Sequence, residues 1–161
     1  MKKLLLTLTL FSSLLLFTGC PFSSDIPIDT PSVRVNEKLI GTWELRSNSE
    51  SSYVVTKTDN YTYKFEKHSK NNTDITNYFA YLSDVSGTKY LNLWEETTSD
   101  KKTYYFYKFE VMNDAMVKFI PITENIDEKF TTSTELKNFI SKNQSVSFFF
   151  EKDEDTYIKV K

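Results

Sequence analysis

The sequence predicts an all-β fold, mainly antiparallel: an up-and-down barrel or a strongly curled meander sheet, with one helix in the C-terminal region. Three observations predict it. Short runs alternate apolar and polar residues with period 2, as half-buried strands do. The chain holds 13 Phe and 10 Tyr and is rich in Thr, a composition that fits a pleated surface. The runs follow one another across short turn-like connections, and closing such a meander removes its exposed edges.

The elements follow in order. Residues 21–35 hold three of the chain's four prolines and read as an extended tether with no fold of its own. Residues 36–40 suggest one helical turn. Residues 41–46 alternate as a strand, with Trp43 and Leu45 on one face. A second strand covers 52–58, and Asp59-Asn60 reads as a two-residue turn. Residues 61–66 alternate most regularly, with Tyr61, Tyr63 and Phe65 on one face. A polar loop at 68–74 leads to strands 75–83 and 89–95, between which Gly87 supplies a positive φ. After a polar turn at 96–101, runs 102–112 and 115–122 form a hairpin across Asn113-Asp114. Pro121 marks an edge or an end. Thr132-Ser133-Thr134-Glu135 fits a capping box at the start of a helix over 133–143, with Leu136, Phe139 and Ile140 on one face. Runs 146–151 and 156–161 close the chain as strands, making nine in all. No internal repeat occurs.

The first twenty residues carry a different message. Lys2 and Lys3 precede fourteen uncharged residues, 4–17, and then Thr18-Gly19-Cys20. A positive start, a short apolar core and small residues form the layout of a secretory signal peptide. Fourteen residues are too few for a membrane-spanning helix, which needs about 20. Leu16-Phe17-Thr18-Gly19-Cys20 resembles the lipobox of bacterial lipoproteins, with Phe17 where that family prefers Leu. The resemblance implies cleavage after Gly19 and acylation of Cys20, the chain's only cysteine. The expected organisation is a signal peptide at 1–19, an acylated cysteine and flexible tether at 20–35, and a β domain at 36–161. The expected location is the cell envelope, at the periplasmic side or the surface of the outer membrane. Palmitate-type chains would anchor it there.

Leu39-Ile40-Gly41-Thr42-Trp43, a helical turn running into Gly-x-Trp, resembles the opening of lipocalin-like (calycin) domains. The resemblance implies that Trp43 packs across the closed end of a barrel whose other end admits ligands. Two features depart from that family. No Thr-Asp-Tyr-like motif lies between the later strands, and no arginine near the C-terminus can stack on Trp43. The only arginines are Arg34 and Arg46, so Lys159 or Lys161 is the available substitute.

Composition excludes several functions. Cleavage removes Lys2 and Lys3 but no acid, taking the formal net charge from −2 to −4. An acidic, evenly charged domain lacks the basic patch that nucleic-acid binding needs. With one histidine, His68 in the polar loop, and Cys20 committed to the anchor, catalytic triads and zinc sites lack their residues. Glu151, Asp153, Glu154 and Asp155 form the densest acidic run, but without a glycine at a bend they read as a solvated turn, and a calcium loop is not expected. No cofactor is expected. A carboxylate pair acting as in glycosidases, which meets only in space, makes an enzyme the third choice.

The remaining candidates are aromatic. Trp43, Tyr61, Tyr63, Phe65, Tyr78, Tyr105 and Tyr107 are candidate ligand-binding residues lining a pocket for a small apolar molecule. The first expectation is therefore a non-enzymatic, membrane-anchored lipoprotein whose barrel binds such a ligand. The second is an adaptor that binds an envelope protein through its outer surface.

Overall fold

The structure, a computed structural model, describes residues 21–71, 73–152 and 155–161. The expected signal peptide and Cys20 lie outside the described residues. Eight antiparallel strands close into a lipocalin-like up-and-down barrel: β2 (Gly41–Leu45), β3 (Asn48–Lys57), β4 (Thr62–Ser69), β5 (Ile75–Val85), β6 (Thr88–Glu95), β7 (Tyr104–Asn113), β8 (Met116–Pro121) and β9 (Asp155–Lys159). Consecutive strands pair up to β8, β9 pairs with both β8 and β2, and the circle is complete. A two-residue strand, β1 (Ser23–Ser24), adds to the outside of β7. One helix, α1 (Ser133–Asn143), interrupts the meander between β8 and β9.

Local chemistry explains most element ends. Between β5 and β6, Ser86 and Gly87 both adopt positive φ, 52° and 87°, which suits a tight hairpin whose twist matches its strands. Helix α1 begins with a reciprocal cap. The Thr132 hydroxyl accepts from the Glu135 amide at 3.2 Å, and the Glu135 carboxylate accepts from the Thr132 amide at 3.2 Å. Gly41 has φ 138°, and a β-carbon there would come within 2.4 Å of the Lys161 carbonyl oxygen. Glycine at this position is what lets the first and last strands approach.

Several boundaries differ from the sequence reading. The β3–β4 connection is not a two-residue turn. The Asp59 carboxylate accepts from the Tyr61 and Thr62 amides at 2.7 and 2.9 Å, so the chain is still turning at Tyr61. His68 belongs to β4, opposite Ser52 and Ile75, and not to a loop. Residues 146–151 do not form a strand. A short 3-10 turn (Ser147–Phe149) folds Phe149 into a buried position, and Phe150 makes a single bridge to Ile122.

The largest correction concerns residues 21–35. They follow a bent path, with only Ser23–Ser24 in a strand, and are docked on the barrel. Phe22 and Ile28 are buried, and the Ile28 amide donates to the side chain of buried Asn92 at 2.9 Å. Asn92 in turn donates to the Ser83 hydroxyl at 2.8 Å. Asp29 accepts from the Ser83 hydroxyl through its carboxylate and from the Tyr81 hydroxyl through its carbonyl, and its carboxylate pairs with Lys137 of α1 at 2.8 Å. Burying Asn92 and Ser83 is tolerable because each finds partners. The segment is thus a strap that clamps β5, β6 and α1 together.

Two cores result. The inner one lies inside the barrel and includes Trp43, Tyr63, Ala80, Leu82 and Phe109. The outer one lies between the outside of β5–β7 and a cover made of the strap, α1 and Phe149. It includes Phe22, Ile28, Tyr90, Phe106, Leu136 and Ile140.

Candidate functional site

One end of the barrel is sealed. The 3-10 turn (Glu37–Leu39) crosses it, and Leu39 and Trp43 are both 3% exposed. The Trp43 indole N–H donates to the Leu39 carbonyl at 2.8 Å. The Lys159 ammonium lies 5.5 Å from the centre of the Trp43 ring and donates to the Lys38 carbonyl at 3.0 Å. Lysine therefore occupies the place over the tryptophan for which an arginine was sought in the sequence. The Tyr63 hydroxyl accepts from the Asn36 amide at 2.6 Å, which ties the chain before the turn to the barrel wall.

Above this floor the interior is hollow. A cavity of about 250 Å³, partly open to solvent, is lined by Leu39, Trp43, Val55, Phe65, Leu91, Leu93, Val117 and Phe119. Tyr53, Tyr78, Tyr107, Tyr157 and Asp155 complete the lining. The Tyr53 and Tyr157 rings meet edge to face with centroids 5.6 Å apart. Phe119 bridges to Tyr157 at 5.5 Å and to Tyr107 at 6.5 Å. Burial pushes the Tyr53, Tyr107 and Tyr157 hydroxyls above the ordinary phenol range, and the nearby Asp155 charge pushes the same way. Near neutral pH these phenols are uncharged groups able both to donate and to accept hydrogen bonds.

The chain matches no family model, no curated protein and no solved structure. What the site can do has to be read from its own residues.

Of the seven aromatic candidates from the sequence, Trp43, Phe65, Tyr78 and Tyr107 line the cavity. Tyr63 is fully buried below it and is used in the seal. Tyr61 lies in the β3–β4 turn and does not line it. Tyr105 does not line it either, although its charge interaction with Tyr78 and Tyr107 places it close by. Sequence reasoning missed Tyr53, Tyr157 and Asp155. Tyr53 and Tyr157 carried only a weak signal, since each follows a polar residue, Ser52 or Thr156, but precedes an apolar one, Val54 or Ile158. Asp155 carried none, because it belongs to an acidic run that reads as a turn. In the structure it begins β9, opposite Phe119.

Proposed function

We propose that the protein is an envelope lipoprotein, anchored through acylated Cys20, whose barrel binds a small, largely apolar molecule without catalysing a reaction on it. The observation that carries this reading is the cavity of about 250 Å³ above the Trp43 floor. A solid barrel would pack that space with side chains, because interiors approach crystal density. An apolar lining with a few converging polar groups is the ordinary form of a small-molecule site. The alternative, an adaptor surface, draws less support. Among the described residues, the exposed large apolar side chains are Ile75, Val111, Met112, Phe148 and Val160, which fall in four parts of the fold.

The docked strap alters the anchoring geometry that the sequence suggested. Only Pro21 separates Cys20 from buried Phe22, so an acylated Cys20 would hold the barrel within about 7 Å of its attachment point.

Calorimetry of the purified full chain with 2-phenylethanol tests the pocket. Saturable binding is expected, and Leu93→Trp, which fills the cavity, should abolish it. Absence of binding in the unaltered chain, or equal binding in the filled variant, overturns the reading. The anchor is tested separately with labelled palmitate, which Cys20→Ser should no longer incorporate or follow into the membrane fraction.

A further inference from the structure

This inference rests on the ligand-binding reading and narrows its ligand. We propose that the cavity takes an uncharged, ring-sized molecule with one polar end: its apolar body rests on the Trp43 floor, and its hydroxyl or carbonyl lies among the tyrosines at the end away from the seal.

The lining is graded along the barrel. Strand β2 leaves the sealed end at Gly41, and the strands alternate in direction around the barrel, so β3, β5, β7 and β9 all run toward the seal. Tyr78, Tyr107 and Tyr157 stand near the starts of β5, β7 and β9, away from the seal. Leu39, Trp43 and Val117 lie at the sealed end, the last near the start of β8. The phenols form one cluster. Tyr107 and Tyr157 are each within electrostatic reach of Tyr53 and of one another, and Tyr107 of Tyr78 as well.

A neutral polar group is what this cluster fits. Each phenol has one donor hydrogen and two lone pairs, so a hydroxyl already bonded to a neighbour keeps capacity for a ligand. An anion would find no lysine, arginine or histidine among the described lining residues, and Asp155 would repel it. An ammonium would shed its water beside a carboxylate that is already engaged within the protein, so no free counter-charge replaces that hydration. Attraction to the ring faces returns only part of the loss. A wholly apolar ligand would cover phenol hydroxyls without offering them a partner. The volume limits the size, since about 250 Å³ lies just below the range of drug-sized pockets and suits a body of about one ring.

The test compares four probes with the same phenyl body: 2-phenylethanol, ethylbenzene, phenethylamine and 3-phenylpropionate, titrated into the purified full chain at pH 7. The alcohol should bind at least about tenfold tighter than the amine or the propionate. At least one of Tyr53→Phe, Tyr107→Phe and Tyr157→Phe should weaken the alcohol about fivefold while leaving ethylbenzene unchanged or tighter. If these variants fail to fold, the ranking on the unaltered chain decides alone. Amine or propionate binding as tight as the alcohol, or an alcohol-to-ethylbenzene ratio that none of the three substitutions moves, would overturn the proposal while leaving the pocket standing. Binding of none of the four would sink both readings.

Discussion

Replacing Ile28 with alanine measures whether residues 21–35 belong to the fold. The side chain is fully buried in the outer core, and its amide is held by Asn92. The substitution removes about three methyl or methylene groups, at about 0.8 kcal/mol each, for about 2.4 kcal/mol of lost burial. The hole left in the outer core is only partly closed by relaxation, which brings the expected loss to about 3–4 kcal/mol. In a domain of this size, each kcal/mol moves the melting temperature by about 3 °C, so Tm should fall by about 9–12 °C. Thermal melting followed by circular dichroism reads this directly. Thr30→Ala, at an exposed position on the same strap, should change stability by no more than about 0.5 kcal/mol. A Tm drop below about 2 °C for Ile28→Ala would refute the reasoning, because that is how a free tether would behave.

Four further outcomes follow from the geometry. Lys159→Ala removes the cation over Trp43 and the bond to the Lys38 carbonyl, and urea denaturation should show a loss of about 1–2 kcal/mol. Thr132→Ala removes the helix cap at a cost of about 1 kcal/mol. Backbone and hydroxyl donors at Thr131 and Thr132 hold the Glu135 carboxyl below its ordinary range, so its contribution is present above the unfolded pKa and is lost as pH falls through the lowered folded value. Acid unfolding monitored by tryptophan fluorescence should therefore show a smaller drop in stability for Glu135→Gln than for the unaltered chain. Burial raises the hydroxyls of Tyr53, Tyr63, Tyr78, Tyr81, Tyr90, Tyr104, Tyr107 and Tyr157. Their contribution is complete below about pH 10, the unfolded phenol value, and is lost as pH rises toward the folded values. Phenolate absorbance near 295 nm should then appear cooperatively with loss of near-ultraviolet circular dichroism, and gradual ionisation of a chain that stays folded would contradict it.

The barrel was legible because most of its strands obey a period of 2, and because the Thr132–Glu135 box states where α1 begins. The strap was hidden by its own composition. Phe22 and Ile28 are its main buried anchors, and the polar run Ser23-Ser24-Asp25 between them breaks any alternation that would mark the segment as a strand. Prolines there suggest an unattached segment, whereas their stiffness equally suits a chain laid flat along a wall. The run Ser147-Phe148-Phe149-Phe150 has no alternation to read, so nothing local chooses between a strand and the turn that buries Phe149. The site was half visible for a related reason. Alternation shows that Tyr61, Tyr63 and Phe65 share a face. Which of them reach a cavity depends on the turn that Asp59 imposes and on the seal that takes up Tyr63.

The two cores also make the barrel mechanically uneven. Strands β5–β7 are packed on both faces, inward on the barrel core and outward on the strap and α1. The outward faces of β2, β3, β4 and β9 contribute nothing to the outer core. Yet Trp43, Tyr53, Val55, Phe65, Asp155 and Tyr157, about half of the cavity's lining, stand on those thinner strands. A ligand would thus press one side against a stiff backing and the other against a wall free to breathe. Local opening concentrates where buried contacts are fewest, so β3, β4 and β9 should exchange their amide hydrogens fastest. Entry, exit and accommodation of differently sized guests would then be matters of that compliant side, with the strapped side serving as the hinge post.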